Sequence, residues 1–365
     1  MRSPHPRRVW GLLGHRSGDN QQVVALCEAL GWPFELEQLR YGWASLMPNV
    51  LRRAHPLGVA VESGVPLSPP WPDLVVAVGR RSAPLALQVR AASRGRCRLV
   101  QLGRPSAPLH WFDLVITTPQ YQIPPRSNLL EIPLPFAGAP RAGDPIVASE
   151  IADLRGPRIA VLVGGPTAEV RFGAAEASKL AACLGHLAEG QGGACLLTTS
   201  PRTPPVVVEE LRRRLPAPHR IHEWSGAMPN PYATYLAVAD TVIVTGDSIS
   251  MIADACRTGA PVGVYRLPER AAPVRRASAA LYSRLARRAE RQDRLSRILF
   301  QLVDAGLLTA PRAYDAVHRS LEQRGLIAYV PGDLPAADGA EQRRRAISTW
   351  EQSAVDRVTA LFGGG

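Results

Sequence analysis

Lysine is almost absent from this chain: Lys179 is the only one, so arginine supplies nearly all of the 43 basic residues. That bias points to an arginine-favouring, GC-rich genome and dilutes any argument built on arginine counts. Paired cysteines are missing too. Cys27, Cys97, Cys183, Cys195 and Cys256 form no Cys-x-x-Cys pair and no zinc-like cluster, which leaves free core thiols. His219 and His222 stand at His-x-x-His spacing without a nearby carboxylate motif, so no metal is expected. No run approaches the ~20 apolar residues that span a bilayer. Near the N-terminus the apolar run Val-Trp-Gly-Leu-Leu is too short for a signal-peptide core, and we read an intracellular protein. A Gly-x-Gly-x-x-Gly fingerprint is also lacking, which disfavours NAD-type chemistry, and no cofactor is expected.

What is present is a folded composition, 46% hydrophobic and 20% charged, and a length of 365 residues that suits two domains. The net charge of +12 is uneven: between Arg270 and Arg297 nine arginines face only Glu290 and Asp293. Nucleic acid, anionic lipid or phosphorylated ligands could all use such a surplus. We carry forward a phosphorylated ligand and an anionic membrane surface, and not nucleic acid. In that stretch Leu281, Leu285, Leu295 and Leu299 fall near helical spacing with arginines between them. A helix packed on the domains with its arginines in water fits the same pattern.

Apolar strand-like and helix-like segments alternate through the first 140 residues, starting with Arg-Arg-Val-Trp-Gly-Leu-Leu at 7–13 and a helical pattern at 21–30. Residues 133–145, with four prolines and no apolar period, are the best linker candidate. The alternation then restarts at 158 and runs to the strand pattern after Pro261. Such βα alternation predicts an α/β fold of two doubly wound Rossmann-like domains, 1–140 and 150–270, facing a central cleft. Residues 271–365 read as an Arg-rich helical tail packing back on them.

Ligands of such folds bind outside the carboxyl ends of the strands. In the second domain the consecutive Gly164 and Gly165 follow a strand and let backbone amides approach a phosphate. Thr199, Ser200 and Arg202 follow the next strand. Thr245, Gly246, Asp247, Ser248 and Ser250 crowd one strand-to-helix corner, where free amides and the helix dipole favour an anion. Asp254, four residues after Ser250 on the same helix face, suits the ribose hydroxyls of a nucleotide. Alternatively Asp247 is an N-cap, with Ser250 at N3 and Asp254 exposed. In the first domain His15 or Asp19 could serve as a general base, and Asp19 or Asn20 could equally cap the following helix. Arg80 and Arg104 each follow a glycine at a strand end and suit an anionic ligand or acceptor, or are surface turns.

In order along the chain, Gly-His-Arg-Ser-Gly-Asp-Asn-Gln-Gln from Gly14, Val-Gly-Arg-Arg-Ser-Ala-Pro from Val78, Leu-Gly-Arg-Pro-Ser-Ala-Pro from Leu102, Val-Leu-Val-Gly-Gly-Pro from Val161 and Thr-Gly-Asp-Ser-Ile-Ser from Thr245 carry a resemblance. From about Arg8 to Leu267 the sequence resembles the mitochondrial fission protein family named for elongated mitochondria. In eukaryotes that family is associated with recruiting a dynamin-related protein to the mitochondrial surface, a role that does not transfer to a bacterial chain. More distantly the architecture is similar to GT-B glycosyltransferases, whose carboxyl-terminal domain holds the nucleotide sugar. There the resemblance matches Gly164 and Gly165 to the Gly-Gly loop, Ser248 and Ser250 to the helix start, and Asp254 to a ribose-binding acid that is usually glutamate. It implies a metal-independent glycosyltransferase moving a sugar from a UDP-, GDP-, CMP- or dTDP-linked donor to an envelope lipid or polysaccharide. Such a protein would work in the cytoplasm or peripherally at the inner membrane. A non-catalytic adaptor binding a protein partner or membrane surface is the alternative. An NDP-sugar epimerase comes third, because neither the dinucleotide fingerprint nor a Tyr-x-x-x-Lys pair is present.

Overall fold

The computed structural model describes residues 7–62, 67–138, 143–154, 156–191, 193–226, 230–270, 273–289, 294–305, 307–308 and 311–363. The chain divides into two compact units, one comprising 1–138, 273–313 and 349–365, the other 139–272 and 314–348. Residues beyond 271 therefore belong partly to each unit.

The first unit opens with β1 (Val9–Leu13), α1 (Ser17–Leu30), β2 (Phe34–Tyr41), α2 (Asn49–Arg52), β3 (Val59–Val61), β4 (Leu74–Val78), α3 (Gly79–Ala92), β5 (Arg98–Leu102), β6 (Leu114–Thr117) and β7 (Leu129–Glu131). Its seven strands lie in the order β3-β2-β1-β4-β5-β6-β7, all parallel to their neighbours except β3, which runs antiparallel to β2. β4 is buried along its whole length, as the unbroken Leu-Val-Val-Ala-Val run requires of a strand covered on both faces. One face packs against α1 through Val23, Leu26 and Cys27; the other packs against α3 through Ala83, Ala86 and Val89.

The expected linker is shorter than its composition suggested. Leu134 and Phe136 are buried in the first unit, and Asp144 caps α4 (Pro145–Glu150) by accepting from the Ile146 amide at 2.9 Å. Proline-spaced apolar residues can fill a core without any helical or strand period. Residues 139–142 lie outside the described ones.

The second unit continues with β8 (Arg158–Leu162), α5 (Ala174–Gln191), β9 (Ala194–Thr198), α6 (Pro205–Arg214), β10 (His219–His222), α7 (Tyr232–Val238), β11 (Thr241–Thr245), α8 (Ile249–Thr258) and β12 (Val262–Tyr265). After α9 (Pro273–Ala289) and α10 (Arg294–Asp304), which belong to the first unit, come α11 (Tyr314–Glu322), β13 (Ala328–Val330) and α12 (Ala340–Ala360). The second sheet is wholly parallel, in the order β10-β9-β8-β11-β12-β13. A strand thus interrupts the tail read as helical: three residues give too little pattern to register. His219 and His222 lie three apart on β10, where odd spacing sends side chains to opposite faces, so they do not chelate together. All five cysteines are free and buried, and burial pushes the thiols of Cys27, Cys97 and Cys256 up to about 12.

Arg104 does not face a ligand. It is buried after β5, donating from Nη2 to Asp304 Oδ1 at 2.8 Å and from Nη1 to the Tyr282 hydroxyl at 2.6 Å. Arg126 holds the other oxygen of Asp304, also at 2.8 Å. The arginine is spent on fastening α9 and α10, which pack on each other through Tyr282, Phe300 and Val303 with Leu285 beside them. Leu281 is exposed on the same hairpin. Glu290, Arg291 and Asp293 lie outside the described residues, as does the Leu295 side chain. Removing one partner of a buried ion pair strands the other charge. Asp304→Ala should therefore lower the unfolding free energy by about 3–5 kcal/mol, read by urea denaturation. A second substitution, Arg104→Met, should recover part of that loss, and an unchanged midpoint in Asp304→Ala would remove the pair from the stabilising contacts.

Candidate functional site

In each sheet the strand order reverses once, and the loops that leave the two strands at that reversal diverge to opposite faces, opening a crevice between them. In the second unit the reversal lies between β8 and β11, so the loops after Leu162 and Thr245 meet there. In the first it lies between β1 and β4, which brings together the loops after Leu13 and Val78.

A buried carboxylate organises the second-unit corner. Asp247 Oδ2 accepts from the Gly165 amide at 2.9 Å and from Arg202 Nη2 at 2.8 Å; Oδ1 accepts from the Thr245 hydroxyl at 2.7 Å. That hydroxyl oxygen takes the Gly164 amide at 2.8 Å, and Arg202 Nη1 reaches the Gly165 carbonyl at 3.0 Å. Loops from β8, β9 and β11 are thus held by one charged group. A Cβ on Gly164 would stand 2.2 Å from Asp247 Oδ2, and one on Gly165 2.1 Å from the Arg202 carbonyl oxygen. Both glycines are required by this packing, and both amides already have acceptors. The expectation that they approach a phosphate is corrected accordingly. Asp247 is no N-cap either: Ser248 occupies that position, and the Asp247 side chain turns back toward β8.

Several other expected contacts are also structural. The Thr199 hydroxyl accepts from the Trp224 amide at 2.8 Å, and the Ser200 hydroxyl sits 3.1 Å from that of Thr203. Asp254 is half-buried and accepts from the Tyr232 hydroxyl at 2.8 Å, so it is not an exposed helical residue. Burial and the adjacent Asp254 carboxylate hold the Tyr232 hydroxyl well above its ordinary range. What faces outward is the start of α8. Ser248 and Ser250 are partly exposed, the Ser248 side chain caps nothing, and no acceptor among the described residues takes the amides of Ile249, Ser250 or Met251. Those amides and the helix dipole suit an anion. Arg202, with 42% of its side chain exposed, brings a guanidinium to the same corner.

The first-unit corner is held by a neutral clamp. Asn20 accepts from the Gly14 amide at 2.7 Å and donates to the Gly14 carbonyl at 2.9 Å, while Gln38 donates to that carbonyl at 2.7 Å. With the turn so fixed, Arg16 holds the N-cap position, and Asp19 lies one turn inside α1 without capping it. Burial pushes the Asp19 carboxyl above its ordinary range, opposed by Arg16, Arg312 and His15. His15 is exposed, edge-on to Tyr41 at 5.8 Å between ring centres, and burial with Arg81 and Arg16 lowers its imidazole. Arg81 stands 5.4 Å from the Tyr41 ring. Arg80 turns away, donating to the Leu46 carbonyl at 2.8 Å. Of the tandem pair it is Arg81, and not the Arg80 expected from the sequence, that stands beside Tyr41, a residue the sequence did not single out. Only the first turn of α3 decides which of the two stands beside Tyr41 at the end of β2.

Residues 17–305 match the model of the family described as mitochondrial fission ELM1. The chain belongs to that family. The mitochondrial fission protein ELM1 of Arabidopsis thaliana is 30% identical over 219 residues, covering 53% of this chain and 51% of that protein, so the match spans about half the relative's length. An uncharacterized protein of Rickettsia prowazekii (strain Madrid E), RP120, is 24% identical over 302 residues, 71% of this chain and 83% of the relative. Among solved structures, the glycosyltransferase SnogD from Streptomyces nogalater is similar at TM-score 0.49 and 17% identity, covering 98% of this chain and 99% of that one. The UDP-GlcNAc 2-epimerase from Neisseria meningitidis, bound to UDP-GlcNAc, is similar at TM-score 0.40 and 10% identity, covering 87% and 99%.

Beneath the α8 corner lies a histidine that no sequence signal singled out. A Cβ on Gly246 would meet His318 Cε1 at 3.0 Å, and the ring of His318 is buried edge-on to Tyr329 with neither nitrogen hydrogen-bonded. Burial drives its imidazole down to about 4, against the pull of Asp315. An unfolded chain binds the proton near the ordinary 6.5, so it takes up a proton that the folded chain refuses. Stability is full above about pH 6.5, falls as pH drops toward 4, and the contribution levels off below that. Substituting His318→Phe should flatten this slope by about 3 kcal/mol across the window, measured by denaturation at successive pH values. Parallel slopes in parent and variant would count against a neutral buried imidazole.

Proposed function

We propose that this family member binds a nucleotide sugar at the α8 corner and transfers the sugar to an acceptor bound by the first unit, as a GT-B-like glycosyltransferase. The observation that carries the reading is the start of α8: uncapped amides, Ser248 and Ser250 at the strand-order reversal of a parallel sheet. The diphosphate of the donor would rest on those amides and hydroxyls, with Arg202 offsetting its charge as it leaves. Asp254 stands one turn further on, held by Tyr232, where a ribose would lie. Its carboxylate would have to serve ribose and tyrosine together.

Asp19 is the base we assign to the acceptor hydroxyl. Its side chain takes no part in capping α1, and its raised carboxyl makes it a stronger base once ionised. His15, with its imidazole lowered, is the runner-up. The acceptor class we favour is an envelope lipid or polysaccharide, and the nucleotide is one of UDP, GDP, CMP or dTDP.

A thermal-shift panel of those nucleotides and their sugar conjugates tests the donor site. A ligand at 100 times its Kd adds about 2.7 kcal/mol to the folded state, a readily measured rise in Tm. The double substitution Ser248→Ala, Ser250→Ala should abolish the shift while leaving the apo Tm within about 1 °C, because neither hydroxyl is needed by the fold. No shift with any nucleotide would favour the non-catalytic adaptor.

With a transferable donor identified, Asp19→Asn should lower turnover by roughly 10²–10⁴-fold with nucleotide binding unchanged. Full turnover in Asp19→Asn together with its loss in His15→Gln would move the base to His15.

A further inference from the structure

Residues 42–58 form a loop whose hydrophobic order is inverted. Gly42 donates to the Gly58 carbonyl at 2.8 Å, pinning the two ends, and a Cβ on Gly58 would stand 2.5 Å from the Ser45 amide, so the returning strand of the loop lies on its start. The polar side chains point in. Ser45 is 2% exposed, Asn49 0% and Arg52 1%. Asn49 donates to the carbonyls of Arg80 at 2.6 Å and Pro105 at 2.9 Å; Arg52 donates to the Ser45 carbonyl and Asn49 Oδ1, both at 3.3 Å. The large apolar side chains point out: Trp43 is 84% exposed, Leu51 66%, Leu46 60%, Leu57 56% and Met47 38%. An isolated exposed leucine is ordinary; five large apolar side chains within fifteen residues of one pinned loop are not.

Charge says what covers them. From Gly42 to Val61 the sequence holds Arg52, Arg53 and His55 and no acidic residue. Arg80 donates to the Leu46 carbonyl from beneath the loop, Arg81 follows it, and among the described residues none of these four arginines forms an ion pair. Arg52 and Arg80 lie inside or beneath the loop, while Arg53 is exposed and Arg81 partly so, and these two bring positive charge to the surface beside the apolar cap. An apolar face tipped by tryptophan and flanked by uncompensated arginines matches the headgroup boundary of a negatively charged bilayer, where the indole sits among headgroups and arginines meet phosphates.

We propose that the 42–58 loop docks this protein on a membrane surface rich in anionic phospholipid, with Trp43, Leu46, Met47, Leu51 and Leu57 entering the interface. The loop belongs to the first unit and the donor corner to the second, and they share no residue, so the nucleotide panel and the lipid experiment can fail independently.

The test is co-sedimentation of the full chain with vesicles of phosphatidylcholine alone and of phosphatidylcholine mixed with phosphatidylglycerol, at low and high salt. Binding is expected to the mixed vesicles and to weaken with salt. Trp43→Ser with Leu51→Ser should reduce partitioning roughly tenfold or more, and Arg53→Glu should reduce it roughly fivefold or more, since each cation near such a surface is worth about that factor. All these side chains are exposed, so an unchanged melting curve accompanies each variant as the control for folding. Equal sedimentation of parent and Trp43→Ser, Leu51→Ser would overturn the proposal. So would loss of binding in Arg284→Glu on α9 alone, which would move the docking element to that helix. Self-association of the parent, abolished by the Trp43 and Leu51 substitutions without any vesicle binding, would overturn it in favour of a contact between copies.

Discussion

The carboxylate of Asp247 is the constraint on which the second-unit site depends. A buried charge must be paired and hydrogen-bonded or its desolvation would unravel the turn. Here the partners come from three successive strand ends: Thr245 beside it, Gly165 across the strand-order reversal, and Arg202 one strand further. Their approach leaves no space for a side chain at Gly164 or Gly165, so a motif that looks like a phosphate loop is here a packing requirement. One consequence bears on the proposed donor site. Because Asp247 turns inward, the start of α8 goes uncapped, and its amides are left for whatever binds at the reversal.

The first unit solves the same geometric problem without charge. Asn20 and Gln38 saturate Gly14, so the turn after β1 is rigid while Asp19 stays out of the hydrogen-bond network that fixes it. A half-buried carboxyl among arginines, with its proton held more firmly than in water, is suited to exchanging protons. The two corners contrast chemically: a carboxylate locked into structure beside the uncapped start of α8, and a carboxyl left out of the network that fixes the turn after β1.

Arginine abundance conceals a division of labour. Arg104 fastens α9 and α10 through Asp304, Arg80 ties α3 to the 42–58 loop, and Arg52 fills the interior of that loop. Each uses the planar guanidinium, whose donors are spread in a fixed fork, to reach several acceptors at once. Arg53, Arg81 and the partly exposed Arg202 are among those that reach solvent. Composition alone does not distinguish these classes.

The sequence by itself determined the architecture. Unbroken apolar runs such as Leu74–Val78, Ala194–Thr198 and Thr241–Thr245, separated by helical periods, specify parallel strands covered on both faces. The family was equally legible, because many short motifs in fixed order survive even where each alone is weak. Short elements were not: β3, β7 and β13 are three residues long, and their pairing comes from neighbours distant in sequence. Tertiary structure alone decided which polar residues are spent on the fold. Asp247, Thr199 and Arg104 have the residue types of a ligand site, but strand ends and helices tens of residues or more away supply their partners, and Ser200 is held locally by Thr203. It also decided that Trp43 and Leu51 point outward while Asn49 and Arg52 point inward. A hydrogen-bonded loop can invert the hydrophobic order when its interior offers enough carbonyls, and no linear period records where those carbonyls lie.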